Sequence, residues 1–125
     1  MPNILIVDDS WLTRRGVKRI LSAQGYDVSE AENGLQAMEI IVASQSQVDL
    51  IILDLLMPEM SGMEFLEKMK VHGISLPVIV LTADIQHTVR EKCIGLGASG
   101  FMNKPPDPEQ LVKIVNVFFD KTPDN

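Results

Sequence analysis

Four short apolar runs in this chain each end at a residue whose side chain can take part in chemistry. The runs are rich in β-branched residues, and helix-like segments separate them, which is typical of strands in a parallel sheet covered on both faces. In open sheets of this kind, ligands bind at the carboxyl ends of the strands. The residues at those ends are Asp8 with Asp9, Asp54, Thr82 and Lys104. Three carboxylates, a hydroxyl and an ammonium predict a site for a divalent cation and a phosphoryl group.

Helix-start signals alternate with the strands. Ser10 is a suitable N-cap for a helix from Trp11 to about Gln24, and a second strand is predicted near Asp27–Ala31. The other predicted helix starts are Asn33 with Gln36, Ser61 with Glu64, Asp84, and Asp107 followed by Pro108 and Gln110. The helix after Asp84 is expected to present one apolar face, made of Ile85, Val89, Cys93 and Leu96. Five alternations of strand and helix predict right-handed βαβ units and an α/β fold.

The length and composition fit one cytoplasmic domain. The 125 residues suffice for a core that buries about two-thirds of the unfolded surface. The apolar runs are far shorter than the ~20 residues that span a bilayer, and the N-terminus lacks the pattern of a secretory signal. The single cysteine, Cys93, cannot form an internal disulfide, as is typical of a reducing cytoplasm. We expect one domain over residues 1–121, a short tail over 122–125, and no effector domain.

The charge of the chain argues against nucleic acid as a partner. Eleven Lys and Arg against 17 Asp and Glu give a net charge of −6, whereas nucleic-acid binding needs clustered positive charge. Once five strand and helix units are counted, no residues remain for a DNA-reading domain. We therefore expect the output to go through another protein.

The acidic residues at the strand ends predict a metal. Two like charges ~5 Å apart repel by about 3 kcal/mol at an effective dielectric constant near 20, so three carboxylates in one pocket need a cation or a proton. A hard divalent ion suits ligands that are all oxygens. The alternative for Asp8 and Asp9 is a strand end followed by a helix cap, and for Asp54 a turn residue before Pro58.

Four motifs in order make the chain similar to a known family. They are Val7-Asp8-Asp9-Ser10, Asp54-Leu55-Leu56-Met57-Pro58 with Ser61-Gly62, Leu81-Thr82-Ala83, and Lys104-Pro105. Over nearly its whole length the chain resembles a receiver domain of the two-component response regulators, of the single-domain kind related to the chemotaxis regulator. The resemblance implies a three-layer, flavodoxin-like, doubly wound fold with five helices and a five-stranded parallel sheet in the order 2-1-3-4-5.

The resemblance also implies roles for the strand-end residues. Asp54 is then the phosphoacceptor, and its donor is a phosphohistidine on a histidine kinase or a histidine phosphotransfer protein. The implied cofactor is Mg²⁺, with Mn²⁺ as an alternative, ligated by Asp9, Asp54 and the backbone carbonyl of Leu56, and by Asp8 through a water. Thr82 and Lys104 are expected to stabilise the phosphoryl group. The domain then catalyses only its own phosphorylation and dephosphorylation.

A switch is implied as well. Thr82 is expected to move towards the phosphoryl group and leave room for Phe101, which changes the face of helix 4, strand 5 and helix 5 for an unidentified output protein. Without the resemblance, Phe101 would be assigned to the core. Leu56 and Asp84 occupy the positions that tune phosphoryl lifetime in the family. Because leucine cannot orient a water, we expect slow self-dephosphorylation.

Two surfaces are candidates for partners. Basic residues on the first helix suggest docking of an acidic phosphodonor, although a solvated face is the alternative: Arg14, Arg15, Lys18 and Arg19. Leu12, Ile20 and Leu21 are left for the core. On the last helix the predicted core face is Leu111, Ile114, Val115 and Phe118, flanked by Val112, Val117 and Phe119. Those three flanking residues are either buried or part of a partner or dimer patch, so the chain is expected to be a monomer or a weak homodimer.

Two rival functions remain. A metal-dependent phosphatase that passes through an aspartyl phosphate would need a second Asp two residues after the nucleophile, where this chain has Leu56. A degenerate receiver that binds partners constitutively would not need the full set of strand-end residues.

Overall fold

The computed structural model describes residues 2–44, 47–83 and 86–119, in which strands and helices alternate. The strands are β1 (Asn3–Val7), β2 (Asp27–Ala31), β3 (Leu50–Leu53), β4 (Val78–Thr82) and β5 (Gly100–Asn103). The helices are α1 (Trp11–Ser22), α2 (Gly34–Ser44), α3 (Gly62–Val71), α4 (His87–Gly95) and α5 (Pro108–Phe118). Within these residues, no helix is both long enough and apolar enough to cross a bilayer.

All five strands are parallel, in the order β2-β1-β3-β4-β5. This order confirms the predicted fold. Val7, the last residue of β1, pairs with Leu53, the last residue of β3. The residues that follow these two strands therefore start from neighbouring positions at one edge of the sheet.

The core lies on both faces of the sheet because alternate strand residues point in opposite directions. In β1, Leu5 and Val7 pack under α2, α3 and α4, whereas Ile4 and Ile6 pack under α1 and α5. All four side chains are completely buried. Their burial explains why the strands are continuous apolar runs rather than alternating patterns.

Four predicted helix caps are present. Before α2, the side chain of Asn33 accepts a hydrogen bond from the N–H of Gln36 at 2.9 Å. The Ser10 hydroxyl accepts a hydrogen bond from the N–H of Thr13, and Asp107 accepts one from the N–H of Gln110. Ser61 and Glu64 form a reciprocal capping box at the start of α3. These caps satisfy N–H groups that have no partner within the helix.

Other boundaries differ from the prediction. The predicted cap of α4, Asp84, is wrong: Gln86 is the N-cap, and Asp84 and Ile85 lie outside the described residues. Helix α1 ends at Ser22 rather than about Gln24, and the chain turns through Gly25, which has a φ of 90°. The predicted tail, residues 122–125, also lies outside the described part of the chain.

The faces of α1, α4 and α5 are partly as predicted. Leu12 is 72% exposed, so its assignment to the core is wrong, while Leu21 and Cys93 are fully buried as expected. On α5, Leu111 and Val115 are buried, and Ile114 and Phe118 pack against them. Of the flanking residues, Val117 is exposed, Val112 is half-buried, and Phe119 packs on the ring of Tyr26.

Candidate functional site

The acidic residues converge at the carboxyl ends of β1 and β3. Asp54 follows β3, and its backbone N–H donates to the carbonyl of Val7 at 2.9 Å, which ties the two strand ends together. One carboxylate oxygen from each of Asp8, Asp9 and Asp54 can be chosen so that all three lie within 4.8 Å of one another. Asp8 and Asp54 are buried, whereas Asp9 is exposed. The cluster therefore has a buried base and an open side.

Lys104 brings a positive charge to this cluster from the end of β5. Its ammonium lies 2.7 Å from Asp8 Oδ2 and 3.4 Å from Asp54 Oδ2. The backbone N–H of Lys104 donates to the carbonyl of Thr82 at 2.9 Å. This hydrogen bond positions Lys104 beside the end of β4, the strand that carries the hydroxyl of Thr82.

The acidic cluster fits a hard cation. The Asp8 and Asp54 carboxylates each accept one backbone hydrogen bond, to Oδ1, from the N–H of Ser10 at 2.8 Å and of Leu56 at 3.4 Å. Among the described residues, the buried Oδ2 of Asp8 accepts no backbone hydrogen bond, and its close partner is the ammonium of Lys104 at 2.7 Å. Oxygen ligands with acceptor capacity to spare are what Mg²⁺ takes, with waters and phosphate oxygens completing its shell.

The surroundings of Asp54 raise the pKa of its carboxyl. Burial raises the pKa of Asp54, and the charge of Asp8 raises it further, while Lys104 and the Leu56 N–H oppose both effects. Burial alone would lower the pKa of Lys104, but its hydrogen bond to Asp8 and the charges of both carboxylates leave that pKa above its ordinary value. A cation that neutralised the cluster would favour ionised Asp54.

Thr82 and Phe101 lie on neighbouring strands. Thr82 is fully buried at the end of β4, next to Asn103 of β5. Phe101 pairs with Val80, is half-buried against the core, and has the guanidinium of Arg90 at 5.8 Å from its ring centroid. Phe101 is therefore neither wholly core nor wholly surface.

Of the two residues predicted to tune phosphoryl lifetime, the structure describes Leu56. Leu56 is 63% exposed beside Asp54, with its side chain in contact with solvent. Asp84 lies outside the described residues.

The basic residues of α1 do not form one surface. Arg14 is buried, so its assignment to an exposed docking face is wrong, whereas Arg15, Lys18 and Arg19 are exposed. Arg14 shares the buried face of α1 with Val17 and Leu21. The spacing of three and four residues between Arg14, Val17 and Leu21 indicates a shared buried face. Because arginine is charged and usually exposed, the sequence pattern nevertheless favoured a surface position.

An apolar groove that the sequence pattern did not predict lies beside α1. It has a volume of about 480 Å³ and is lined by Leu12, Thr13, Gly16, Ile20, Lys104, Pro105 and Pro106. The exposed Leu12 is one wall of this groove, and Lys104 connects the groove to the acidic cluster.

Gly62 sets how closely α3 approaches Asp54. Its N–H donates to the carbonyl of Leu55 at 3.0 Å. A β-carbon at this position would collide with the backbone carbonyl of Asp54 and lie 2.7 Å from the α-carbon of Leu55. The loop that carries Asp54 therefore requires glycine at residue 62 for a steric reason.

Comparison with known proteins agrees with this geometry. The chain matches the response regulator receiver domain family over residues 4–116. It is 36% identical to the probable transcriptional regulator ycf29 of Porphyra purpurea over 115 residues. The aligned region covers 90% of this chain and 54% of that protein. The chain spans about half the length of the first curated relatives that it matches.

Solved structures show the same fold. The chemotaxis protein CheY4 of Vibrio cholerae superposes with a TM-score of 0.84 at 32% identity, over 94% of this chain and 98% of that one. A chain in the crystal structure of the CheX–CheY–BeF3–Mg²⁺ complex from Borrelia burgdorferi superposes with a TM-score of 0.89 at 28% identity, over 96% of this chain and 90% of that one. The strand order, the acidic cluster and the family match lead to one conclusion: this chain belongs to the receiver domains of two-component response regulators, which act in signalling by phosphorylation.

Proposed function

We propose that this domain accepts a phosphoryl group on Asp54 and changes its affinity for an output protein as a result. The observation that carries this proposal is the convergence of three carboxylates within 4.8 Å, with the ammonium of Lys104 at 2.7 Å and 3.4 Å from two of them. No two of the four residues other than Asp8 and Asp9 are close in sequence, so a structural explanation such as helix capping does not account for the whole set.

The chemistry is a transfer between two nucleophiles. A carboxylate oxygen of Asp54 attacks the phosphorus of a phosphohistidine, a P–O bond forms, the P–N bond breaks, and imidazole leaves with its electron pair. Lys104 stabilises negative charge on the transferred group, and the hydroxyl of Thr82 donates to a phosphoryl oxygen afterwards. Hydrolysis by water later restores the carboxylate and releases inorganic phosphate.

Receiver domains bind Mg²⁺ at acidic residues, and the donor set of this chain suits that ion. We assign Asp9, Asp54 and the backbone carbonyl of Leu56 as ligands, with Asp8 acting through a water. When bound, Mg²⁺ neutralises phosphoryl oxygens, and Mn²⁺ is an alternative with the same ligand preference. The open side at exposed Asp9 allows water and phosphate to reach the site.

The output would be carried by Thr82 and Phe101. Movement of Thr82 towards a phosphorylated Asp54 makes room beside Val80 for the half-buried ring of Phe101, which changes the face formed by α4, β5 and α5. The partners are then a histidine kinase or phosphotransfer protein and one output protein.

The phosphodonor would approach along α1. Arg15, Lys18 and Arg19 are exposed and attract an acidic surface, and the groove beside Leu12 leads to Lys104. Reversing these three charges should slow transfer from the kinase but leave transfer from a small acyl phosphate unchanged, because steering acts on the encounter between proteins.

One labelling experiment tests the function. The protein is incubated with Mg²⁺ and a radiolabelled small acyl phosphate, and the expected result is label on Asp54 that Asp54→Asn abolishes. Asp27→Asn is the matched control, because it removes an exposed carboxylate at the opposite end of a strand. Absence of label would support a degenerate receiver. Turnover of external phosphate esters would support a phosphatase, against which the exposed Leu56 already argues because it cannot act as a general acid.

A further inference from the structure

Arg14 is a buried cation that the phosphoryl chemistry does not use. It is 7% exposed, on the face of α1 that packs against the sheet. Arginine is almost never buried to this degree unless its charge and its hydrogen-bond donors have partners. The partners of this guanidinium therefore indicate why it lies there.

Two partners hold the guanidinium in one orientation. Its Nε donates to Glu30 Oε1 of β2 at 2.9 Å, and its Nη1 donates to the backbone carbonyl of Asp8 at 2.7 Å. Lys18 Nζ lies 3.6 Å from the other oxygen of Glu30. The planar fork of arginine spans both acceptors at once, which the single nitrogen of a lysine cannot do.

The carbonyl that Arg14 holds lies just beyond the sheet. The preceding peptide, between Val7 and Asp8, is held on both sides by backbone bonds: Val7 O accepts from Asp54 N–H, and Asp8 N–H donates to Ala31 O. The next peptide joins Asp8 to Asp9, and its carbonyl accepts from Arg14 instead. Because a peptide unit is planar, fixing this carbonyl also fixes the direction in which the chain leaves towards exposed Asp9.

We propose that Arg14 is a positioning residue for the acidic cluster: braced by Glu30, it fixes the Asp8–Asp9 peptide so that both carboxylates are set for a divalent cation. The inference rests on the proposed function only for the identity of the cation as Mg²⁺. Arg14 touches neither cation nor phosphoryl group, and it acts through the main chain of the residues that do.

The test is a calorimetric titration with Mg²⁺ alone, using the full chain. Arg14→Gln and Arg14→Lys should each raise the Kd for Mg²⁺ by about 10- to 100-fold, the usual effect of removing a group that orients a ligand. Glu30→Gln should weaken binding in the same direction but less. The charge-matched control is Lys70→Gln, which removes one positive charge from an exposed position on α3 and should leave the Kd within about twofold.

A second readout separates positioning from general damage. With a small acyl phosphate as donor, the Arg14 variants should need more Mg²⁺ for half-maximal labelling but approach the wild-type rate at saturation. A folded Arg14→Gln whose Kd stays within about twofold of wild type would overturn the inference. So would Arg14→Lys with unchanged affinity, because charge alone would then suffice.

Two outcomes keep this inference distinct from the proposed function. If Arg14→Gln does not fold, Glu30→Gln decides, since it keeps the arginine and removes only the charge that braces it; unchanged Mg²⁺ affinity in that variant rejects the inference. If the wild type binds Mg²⁺ but takes no label, the proposed function fails, and the comparison of Mg²⁺ affinities still decides the role of Arg14.

Discussion

The interior of β3 and the residue that follows it are both buried, but burial has opposite consequences in the two places. Leu50, Ile51, Ile52 and Leu53 are completely buried, and Asp54 directly after them is 3% exposed. Burial of the apolar side chains stabilises the fold by about 1.5 to 3 kcal/mol each. Burial of Asp54 raises its pKa, so the ionised form that the proposed phosphoryl transfer needs is disfavoured in the fold.

The comparison shows how a receiver domain can hold a buried carboxylate at the edge of its sheet. The apolar interior of the sheet stabilises the fold enough to tolerate a strained electrostatic arrangement at its edge, where Asp8 and Asp54 share one ammonium. Active sites commonly have shifted pKa values because they contain buried groups and like charges held close together. The two regions should therefore respond oppositely to substitution, metal and pH.

The largest effect is expected in the strand interior. Ile52→Ala should lower the free energy of unfolding by about 4 kcal/mol, because it removes a fully buried side chain and leaves a cavity between β3 and the helices. Chemical denaturation measures this change. Val117→Ala is the control, since Val117 is 76% exposed and its loss should change stability by no more than about 0.5 kcal/mol. Equal effects of the two variants would contradict the assigned core.

The next effect is expected where the loop of Asp54 meets α3. Gly62→Ala should destabilise the protein by about 2 kcal/mol and slow labelling of Asp54, because the added carbon must displace the Asp54 carbonyl. Gly16→Ala is the matched control on α1, where a β-carbon meets nothing within 4 Å. It should stabilise by about 0.5 to 1 kcal/mol. A Gly62→Ala variant with wild-type stability and labelling would show that the close approach is unimportant.

A smaller effect is expected on phosphoryl lifetime. Leu56→Asn should shorten the lifetime of the acyl phosphate about tenfold, equivalent to about 1.4 kcal/mol, because an amide can orient the attacking water and leucine cannot. Decay of label after removal of the donor measures it. Leu56→Met, which keeps the side chain apolar, is the control and should decay as slowly as wild type. An unchanged lifetime in the asparagine variant would refute the role of this position.

Removing the charge at Asp54 should stabilise the protein, whereas most substitutions destabilise it. Without Mg²⁺, Asp54→Asn should raise the free energy of unfolding by about 1 kcal/mol, because it relieves both burial of a charge and repulsion from Asp8. Saturating Mg²⁺ should reverse the order by stabilising only the wild type. Asp27→Asn, which changes an exposed carboxyl, should do neither. Destabilisation by Asp54→Asn in the absence of metal would contradict the electrostatic picture.

The smallest effect concerns pH. Because the folded-state pKa of Asp54 lies above its ordinary value of 3.8, the unfolded chain binds fewer protons than the fold just above that pH. The contribution of Asp54 to stability therefore falls as pH rises through this window. Without metal, the advantage of Asp54→Asn should vanish near pH 3 to 4 and grow by a few tenths to about 1 kcal/mol towards neutrality. A difference that stays constant with pH would contradict the raised pKa.

The chain's local patterns were enough for the elements and for most of the site. Apolar runs predicted four of the five strands, and the second strand was predicted near its observed place between two helix signals. The caps at Ser10, Asn33, Ser61 and Asp107 are present because capping depends on residues three positions apart. The site residues were found because each ends a strand, and the carboxyl ends of parallel strands meet at one edge. For Asp8, Asp9 and Asp54, the structure confirms this convergence.

Other features depended on contacts between distant segments. The rotation of α1 about its axis is set by packing on the sheet, so Arg14 is buried against Glu30 while Leu12 faces solvent. The start of α4 at His87 likewise was not evident from Asp84, whose residue type is suited to a cap. Periodicity and capping depend on residues only a few positions apart, so the sequence alone predicts them. The partner of a buried charge, by contrast, comes from another strand, and only the packed fold brings the two together.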